Sequence, residues 1–117
     1  MRTKMAALLM GLSMIWASVA MADAQLKVTV YGDNGPVQGT IVTARAYVYN
    51  RDNNQSYYMT MTGWTDRDGE VTLIYGGHIE FNNNQESTVS VGSGIFSREV
   101  KKTTTLWGRS GRVMIRR

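Results

Sequence analysis

Residues 40–49 read Thr40-Ile41-Val42-Thr43-Ala44-Arg45-Ala46-Tyr47-Val48-Tyr49, and their alternation decides the fold class. Val42, Ala44, Ala46 and Val48 fall on one side of an extended chain; Thr43, Arg45, Tyr47 and Tyr49 fall on the other. A period of two, carried by β-branched and aromatic residues, predicts a strand with one face in a core. Upstream, Leu26, Val28 and Val30 alternate with Lys27, Thr29 and Tyr31 in the same way, and Gly32-Asp33-Asn34-Gly35-Pro36 supplies turn chemistry between the two runs. Downstream, residues 50–56 form a polar loop, 57–62 a third strand, and 71–75 a fourth after Asp66-Arg67-Asp68-Gly69. Residues 79–81, 88–91, 97–106 and 112–116 are shorter candidates, and residues 82–85 (Asn-Asn-Asn-Gln) are a loop. No window after residue 22 has a convincing period of about 3.6. Turn signals every eight to twelve residues or so predict a single all-β domain, an antiparallel sandwich of about seven or eight strands.

The N-terminus is a separate matter. Arg2 and Lys4 precede an uncharged run at residues 5–19, and Ala20-Met21-Ala22 closes it as a small-x-small triplet. Positive start, apolar centre and small-residue end, in that order, are the parts of an export signal. The run is shorter than the roughly 20 apolar residues of a spanning helix. The expectation is a cleaved signal at residues 1–22, with Ala24 the next choice of cut, and a mature domain at 23–117 without a transmembrane segment. Its destination would be the periplasm of a Gram-negative cell or the exterior.

The mature stretch is short enough that its core is modest, and it contains no cysteine to staple it. A lipid anchor on cysteine, thiolate zinc sites, haem attachment and thiol nucleophiles are excluded together. Charge is unevenly distributed. Residues 23–96 carry four basic side chains against eight acidic ones, whereas residues 97–117 carry seven basic ones against Glu99 alone. That basic segment, with Arg109, Arg112, Arg116 and Arg117 at its end, suits an acidic partner or an anionic envelope surface. An exported chain is not expected to meet nucleic acid. Lysines and arginines on an edge strand also serve simply to discourage pairing with other sheets.

The stretch Val28-Thr29-Val30-Tyr31-Gly32-Asp33-Asn34-Gly35-Pro36-Val37-Gln38-Gly39-Thr40-Ile41-Val42 resembles the opening of transthyretin-like and carboxypeptidase-regulatory-like sandwich domains. It is similar also to the B-type repeats of collagen-binding adhesins. Those families join two strands through a Gly-x-Pro-Val-x-Gly hinge and carry a threonine–acidic–x–acidic–glycine turn before the fourth strand. Thr65-Asp66-Arg67-Asp68-Gly69 matches that turn. The resemblance covers residues 26–75 and implies a fold, not an activity. The enzyme branch of the transthyretin-like family, the 5-hydroxyisourate hydrolases, uses two histidines, an arginine and a terminal Tyr-Arg-Gly-Ser. This chain has one histidine and ends Met114-Ile115-Arg116-Arg117, so the hydrolase machinery does not carry over. The adhesins' Lys–Asn crosslink between first and last strands does not either: Lys27 is in place, but no asparagine follows Asn84.

Among single sites, Asp66, Asp68 and Glu70 could offer oxygens to Ca²⁺, but a hard cation wants about six or more. The simpler reading is a turn whose aspartates bond their own backbone. His78, in Gly76-Gly77-His78, has no serine or carboxylate neighbour that would form a triad signature and reads as a surface or loop-edge histidine. No metal, cofactor or catalytic residue is expected. For the second and third strands two registers remain open. With Tyr49 opposite Tyr57, the side chains of Tyr47, Tyr49, Tyr57, Met59 and Met61 share a face with Arg45; a slip of one residue turns Met59 and Met61 inward. The function expected is therefore a non-catalytic module acting through another protein or copies of itself. The alternative is a carbohydrate-binding module, its ligand a sugar ring or polysaccharide, using Tyr47, Tyr49, Tyr57 and Trp64.

Overall fold

The computed structural model describes residues 23–92 and 99–117. Alternation along β1 (Ala24–Gly32) puts Ala24, Leu26, Val28 and Val30 out of contact with solvent, and this strand is the centre of the first sheet. β5 (Glu70–Gly76) pairs antiparallel with it, Leu26 opposite Leu73 and Val28 opposite Val71. The two-residue β2 (Gly35–Pro36) pairs antiparallel with Tyr31 and Gly32. β9 (Ser110–Arg116) runs parallel to β1, from Gln25 opposite Ser110 to Tyr31 opposite Arg116. Parallel neighbours cannot be joined by a hairpin, so the chain builds the second sheet before returning.

That second sheet is centred on β3 (Ile41–Asn50), whose Val42, Ala44, Ala46 and Val48 are buried as their alternation predicts. β4 (Gln55–Trp64) zips against it in an unbroken antiparallel register from Ile41–Trp64 to Asn50–Gln55. The other edge of β3 is shared by β7 (Ser87–Val91), opposite residues 42–45, and β6 (Ile79–Phe81), opposite residues 48–50. Between them, the Tyr47 N–H donates to Ser87 Oγ at 3.0 Å and the Tyr47 carbonyl accepts the Asn82 N–H at 3.0 Å. β8 (Val100–Thr104) pairs with β7 and ends the sheet. The architecture is an all-β sandwich in which every pairing among the described residues is antiparallel except β1 with β9.

The register of β4 settles which way its side chains face. Tyr57 lies opposite Val48, Met59 opposite Ala46 and Met61 opposite Ala44. These three therefore point inward and pack, half-buried, against the core, and the aromatic strip of Tyr47, Tyr49 and Tyr57 on one face does not form. Tyr58 instead stands beside Tyr47. The turn at residues 51–54 fixes this parity: Asn50 and Asn53 accept the N–H groups of Asp52 and Gln55 at 2.9 and 3.1 Å, and Asn54 takes φ 55. A one-residue slip would carry two methionines and a tyrosine into water. The core is completed by Leu73 and Tyr75 of β5, Ile79 and Phe81 of β6, Val89 and Val91 of β7, Leu106, and Val113 and Ile115 of β9. Tyr75 donates its hydroxyl to the Ala44 carbonyl at 2.8 Å and meets the Phe81 ring edge-on at 5.3 Å; burial holds its phenol well above the ordinary tyrosine range.

Two of the four crossings between the sheets, β2 to β3 and β4 to β5, are bonded to one another at Thr65. Its hydroxyl donates to the Val37 carbonyl at 2.6 Å and accepts the Thr40 N–H at 3.0 Å. Its backbone N–H reaches the Thr40 carbonyl at 3.0 Å, and its carbonyl accepts the Gly39 N–H at 2.9 Å. Just beyond, Gly69 sits at φ 74 with its carbonyl accepting the Val30 N–H at 2.7 Å, and an added Cβ there would press into the Val30 carbonyl oxygen. The Gly69→Val variant should lose about 1–3 kcal/mol through backbone strain at positive φ. An unchanged melting temperature would show that the contact with β1 does not constrain the fold.

Candidate functional site

Two outer faces carry the exposed side chains, and the registers determine which residues each face collects. On the first sheet, parity places Lys27, Thr29 and Tyr31 outside on β1, with Arg112, Met114 and Arg116 beside them on β9. Ile74 on β5 lies opposite Gln25 and completes the face. Met114 is 58% exposed and Ile74 49%, which leaves apolar surface among cations. Lys27 Nζ lies 3.2 Å from Glu70 Oε1; the Arg116 guanidinium pairs with the Asp33 carboxylate and lies 5.9 Å from the centre of the Tyr31 ring.

The four arginines singled out from the sequence do not all share that face. Arg112 and Arg116 do. Arg109 precedes β9, its carbonyl accepting the Gln25 N–H at 3.0 Å. Arg117 is held at the opposite end, its N–H donating to the Tyr31 carbonyl at 2.7 Å and its guanidinium to Thr40 Oγ1 at 2.9 Å. Lys101 and Lys102 diverge, as neighbours on a strand must. Lys101 lies opposite Ser90, whereas Lys102 Nζ donates to the Met114 carbonyl at 3.1 Å, which puts a cation on the outer edge of β9.

The outer face of the second sheet is polar. Arg45 lies over the Tyr58 ring at 3.6 Å from its centre, and Tyr58 meets Tyr47 at 5.0 Å with the rings tilted by 55°. The Tyr58 hydroxyl donates to the Glu86 carbonyl at 3.1 Å and anchors the turn after β6. A shallow cavity of about 480 Å³ opens here between Arg45, Tyr58, Asn84, Glu86, Thr88 and Thr103. Of the proposed sugar contacts, Tyr47 and Tyr49 stand on this face, with the Tyr49 hydroxyl donating to Asn54 Oδ1 at 2.6 Å. Tyr57 faces inward, its hydroxyl accepting from Asn50 Nδ2 at 2.9 Å. Trp64 is 64% exposed but lies at the far end of β4. That is about 20 Å along the strand from Tyr58. The sequence reading missed the Arg45–Tyr58 stack, which becomes legible only once the hairpin register is known. It also passed over Trp107, 74% exposed in the loop before β9, beside a second cavity of about 440 Å³ lined by residues 105–112.

The acidic turn is a structural device. Asp66 Oδ1 accepts the N–H groups of Asp68 at 2.9 Å and Glu70 at 3.0 Å, and Glu70 itself faces Lys27. Among the described residues no three His, Cys, Asp or Glu side chains gather as metal ligands. His78 Nδ1 lies 3.3 Å from Asp52 Oδ1, and both side chains are more than half exposed.

No family model and no curated protein matches the sequence. Solved structures with a similar course of the chain include a 9R-lipoxygenase from Cyanothece PCC8801, at TM-score 0.47 and 13% identity over 84% of this chain; the match spans only 17% of the lipoxygenase. Sea bream transthyretin, solved in complex with thyroxine, is similar at TM-score 0.43 and 11% identity, over 77% of this chain and 85% of that one. Neither likeness carries an activity or a ligand across.

Replacing Asp66 with Ala should cost about 1–2 kcal/mol, since two amide N–H groups lose a charged acceptor in a partly solvated turn. Calcium should leave the melting temperature of the unmodified protein in place. A rise of several degrees on adding the ion would make the turn a site.

Proposed function

We propose that the protein is an exported, non-catalytic β-sandwich module that docks onto another protein, as a structural or accessory subunit of a cell-envelope or extracellular assembly. One observation carries the reading: Met114 and Ile74 are uncovered on the outer face of the first sheet, on which Lys27, Arg112 and Arg116 also stand. Apolar surface supplies area to bury, and cations speed encounter with an acidic partner and reject basic ones. Export is supported by the position of Ala24, a buried first residue of β1 that a cut after Ala22 leaves in place. Kinship with transthyretin-like and carboxypeptidase-regulatory-like domains is supported by Thr65, through which the two sequence segments that carry the resemblance bond directly.

A second reading, binding of a polysaccharide, is favoured by the cavity on the other sheet. Its lining of amides, hydroxyls, one tyrosine ring, the Arg45 guanidinium and the Glu86 carboxylate suits sugar hydroxyls, with Arg45 the group that would meet an acidic substituent.

A photoreactive residue at position 114 should crosslink one acidic protein in cells that export the chain. Arg112→Ser with Arg116→Ser should reduce that yield several-fold and slow association more than it speeds dissociation. Raised salt should act in the same direction. Melting should barely shift, because exposed ion pairs contribute little to folding. Equal crosslinking by the double variant would remove this reading. The polysaccharide reading predicts that Arg45→Ala abolishes binding of uronic-acid polymers in calorimetric titration, and fails if the unmodified protein binds none.

A further inference from the structure

The two sides of the sandwich are defended differently. On one side lie β8 and β9, which carry Lys101, Lys102, Arg112 and Arg116, and Lys102 already occupies the Met114 carbonyl on the β9 edge. On the other side lies β4, which among the described residues pairs with β3 alone. β4 is ten residues long, Gln55-Ser56-Tyr57-Tyr58-Met59-Thr60-Met61-Thr62-Gly63-Trp64, with no charge, no proline and no register shift against β3. Soluble proteins keep edge strands short, charged, bulged or interrupted by proline, because a long plain edge is a template for another strand. β4 has none of these protections. A second observation concerns the core beneath it. Tyr57, Met59 and Met61 point inward yet remain half-buried, because no further strand lies beyond β4 to finish covering them.

We infer that β4 is an interface, and that its occupant is the β4 strand of a second copy of this chain. Antiparallel pairing about a two-fold axis normal to the sheet places each residue opposite one on the same face, so inward residues meet inward residues. For a charged strand such self-pairing sets like charges opposite one another, which is destabilising; β4 carries none. With the axis at Thr60, Met59 meets the second copy's Met61 and Tyr58 meets the second copy's Thr62, so the half-buried sulfur row continues across the interface. The two four-stranded runs β4–β3–β7–β8 become one continuous sheet, bounded at both ends by the lysine-bearing β8. The same axis turns the outer faces of both first sheets to one side. If the docking reading of that face is right, the dimer engages its partner with two equivalent faces, and avidity follows without any new contact.

Light scattering on the exported protein, from about 1 to about 500 µM, spans the affinities expected of such a contact. The expected result is a mass that doubles with concentration and is insensitive to salt between about 0.05 and about 1 M, since no charges meet across the strand. Thr60 and Thr62 are exposed on the outer face of β4; Thr60 lies opposite Arg45, so Thr60→Lys with Thr62→Lys should lower the melting temperature of the monomer slightly and still leave it folded. That variant should weaken dimerisation by about tenfold or more, because like charges then face each other. Arg112→Ser with Arg116→Ser should dimerise as the unmodified protein does, which separates this interface from the proposed docking face. A protein that stays monomeric throughout, a dimer that the lysine pair leaves intact, or one that salt or the arginine pair dissolves would overturn the inference. If the lysine pair abolishes the sheet signal in circular dichroism, hydrogen exchange of the unmodified protein decides: alternate amides at residues 55–64 must slow as concentration rises, and unchanged rates refute the interface.

Discussion

The hydroxyl of Thr65 is the point on which the two-sheet arrangement depends. The chain crosses between the sheets four times, and the crossings after β2 and after β4 lie side by side. Thr65 ties them with one side chain used as both donor and acceptor, reinforced by two backbone bonds to Gly39 and Thr40. The group is buried, so every polar atom there needs a partner, and the geometry supplies one for each. Gly69 adds a steric condition: the turn passes so close to the backbone of β1 that a side chain has no room. In a domain with no disulfide, these contacts do part of what a covalent staple does elsewhere.

From that fixed pair of crossings, strand parity determines everything on the surface. Because side chains alternate, a decision about one residue of a strand is a decision about all of them. The four-residue turn at 51–54 aligns Asn50 with Gln55, and this alone turns Met59 and Met61 inward and brings Tyr58 to Tyr47 and Arg45. The parallel return of β9 likewise aligns Arg112 with Lys27 and Arg116 with Tyr31, which converts a basic run of sequence into one face of a sheet.

Charge then divides the molecule in a way a net value conceals. Cations are concentrated where β8 and β9 would otherwise offer open edges, and one of them is bonded to a β9 carbonyl. The long β4 edge has no such cover. The molecule thus has one side guarded by cations, one plain side and a face that mixes cations with apolar surface. The proposed assembly role is argued from that distribution.

The sequence alone determined the all-β class, the position of nearly every strand and the inward residues of β1 and β3, because burial of one face leaves a period of two that survives without tertiary knowledge. It also marked Gly69 and the acidic turn, since turn chemistry is local: Asp66 bonds amides two and four residues away. It left the register of Tyr57 open, because Tyr and Met tolerate either face and parity depends on where the hairpin closes. Neither the stacking of Arg45 on Tyr58 nor the exposure of Trp107 was legible, because each depends on neighbours from separate strands. Nor was the parallel placement of β9, which gathers Arg112 and Arg116 beside Lys27 and sends Arg117 away to Thr40. Local periodicity reports which residues leave water; only the packed structure decides which of the remaining ones meet, because pairing joins strands far apart in the chain, as Gln25 of β1 with Ser110 of β9.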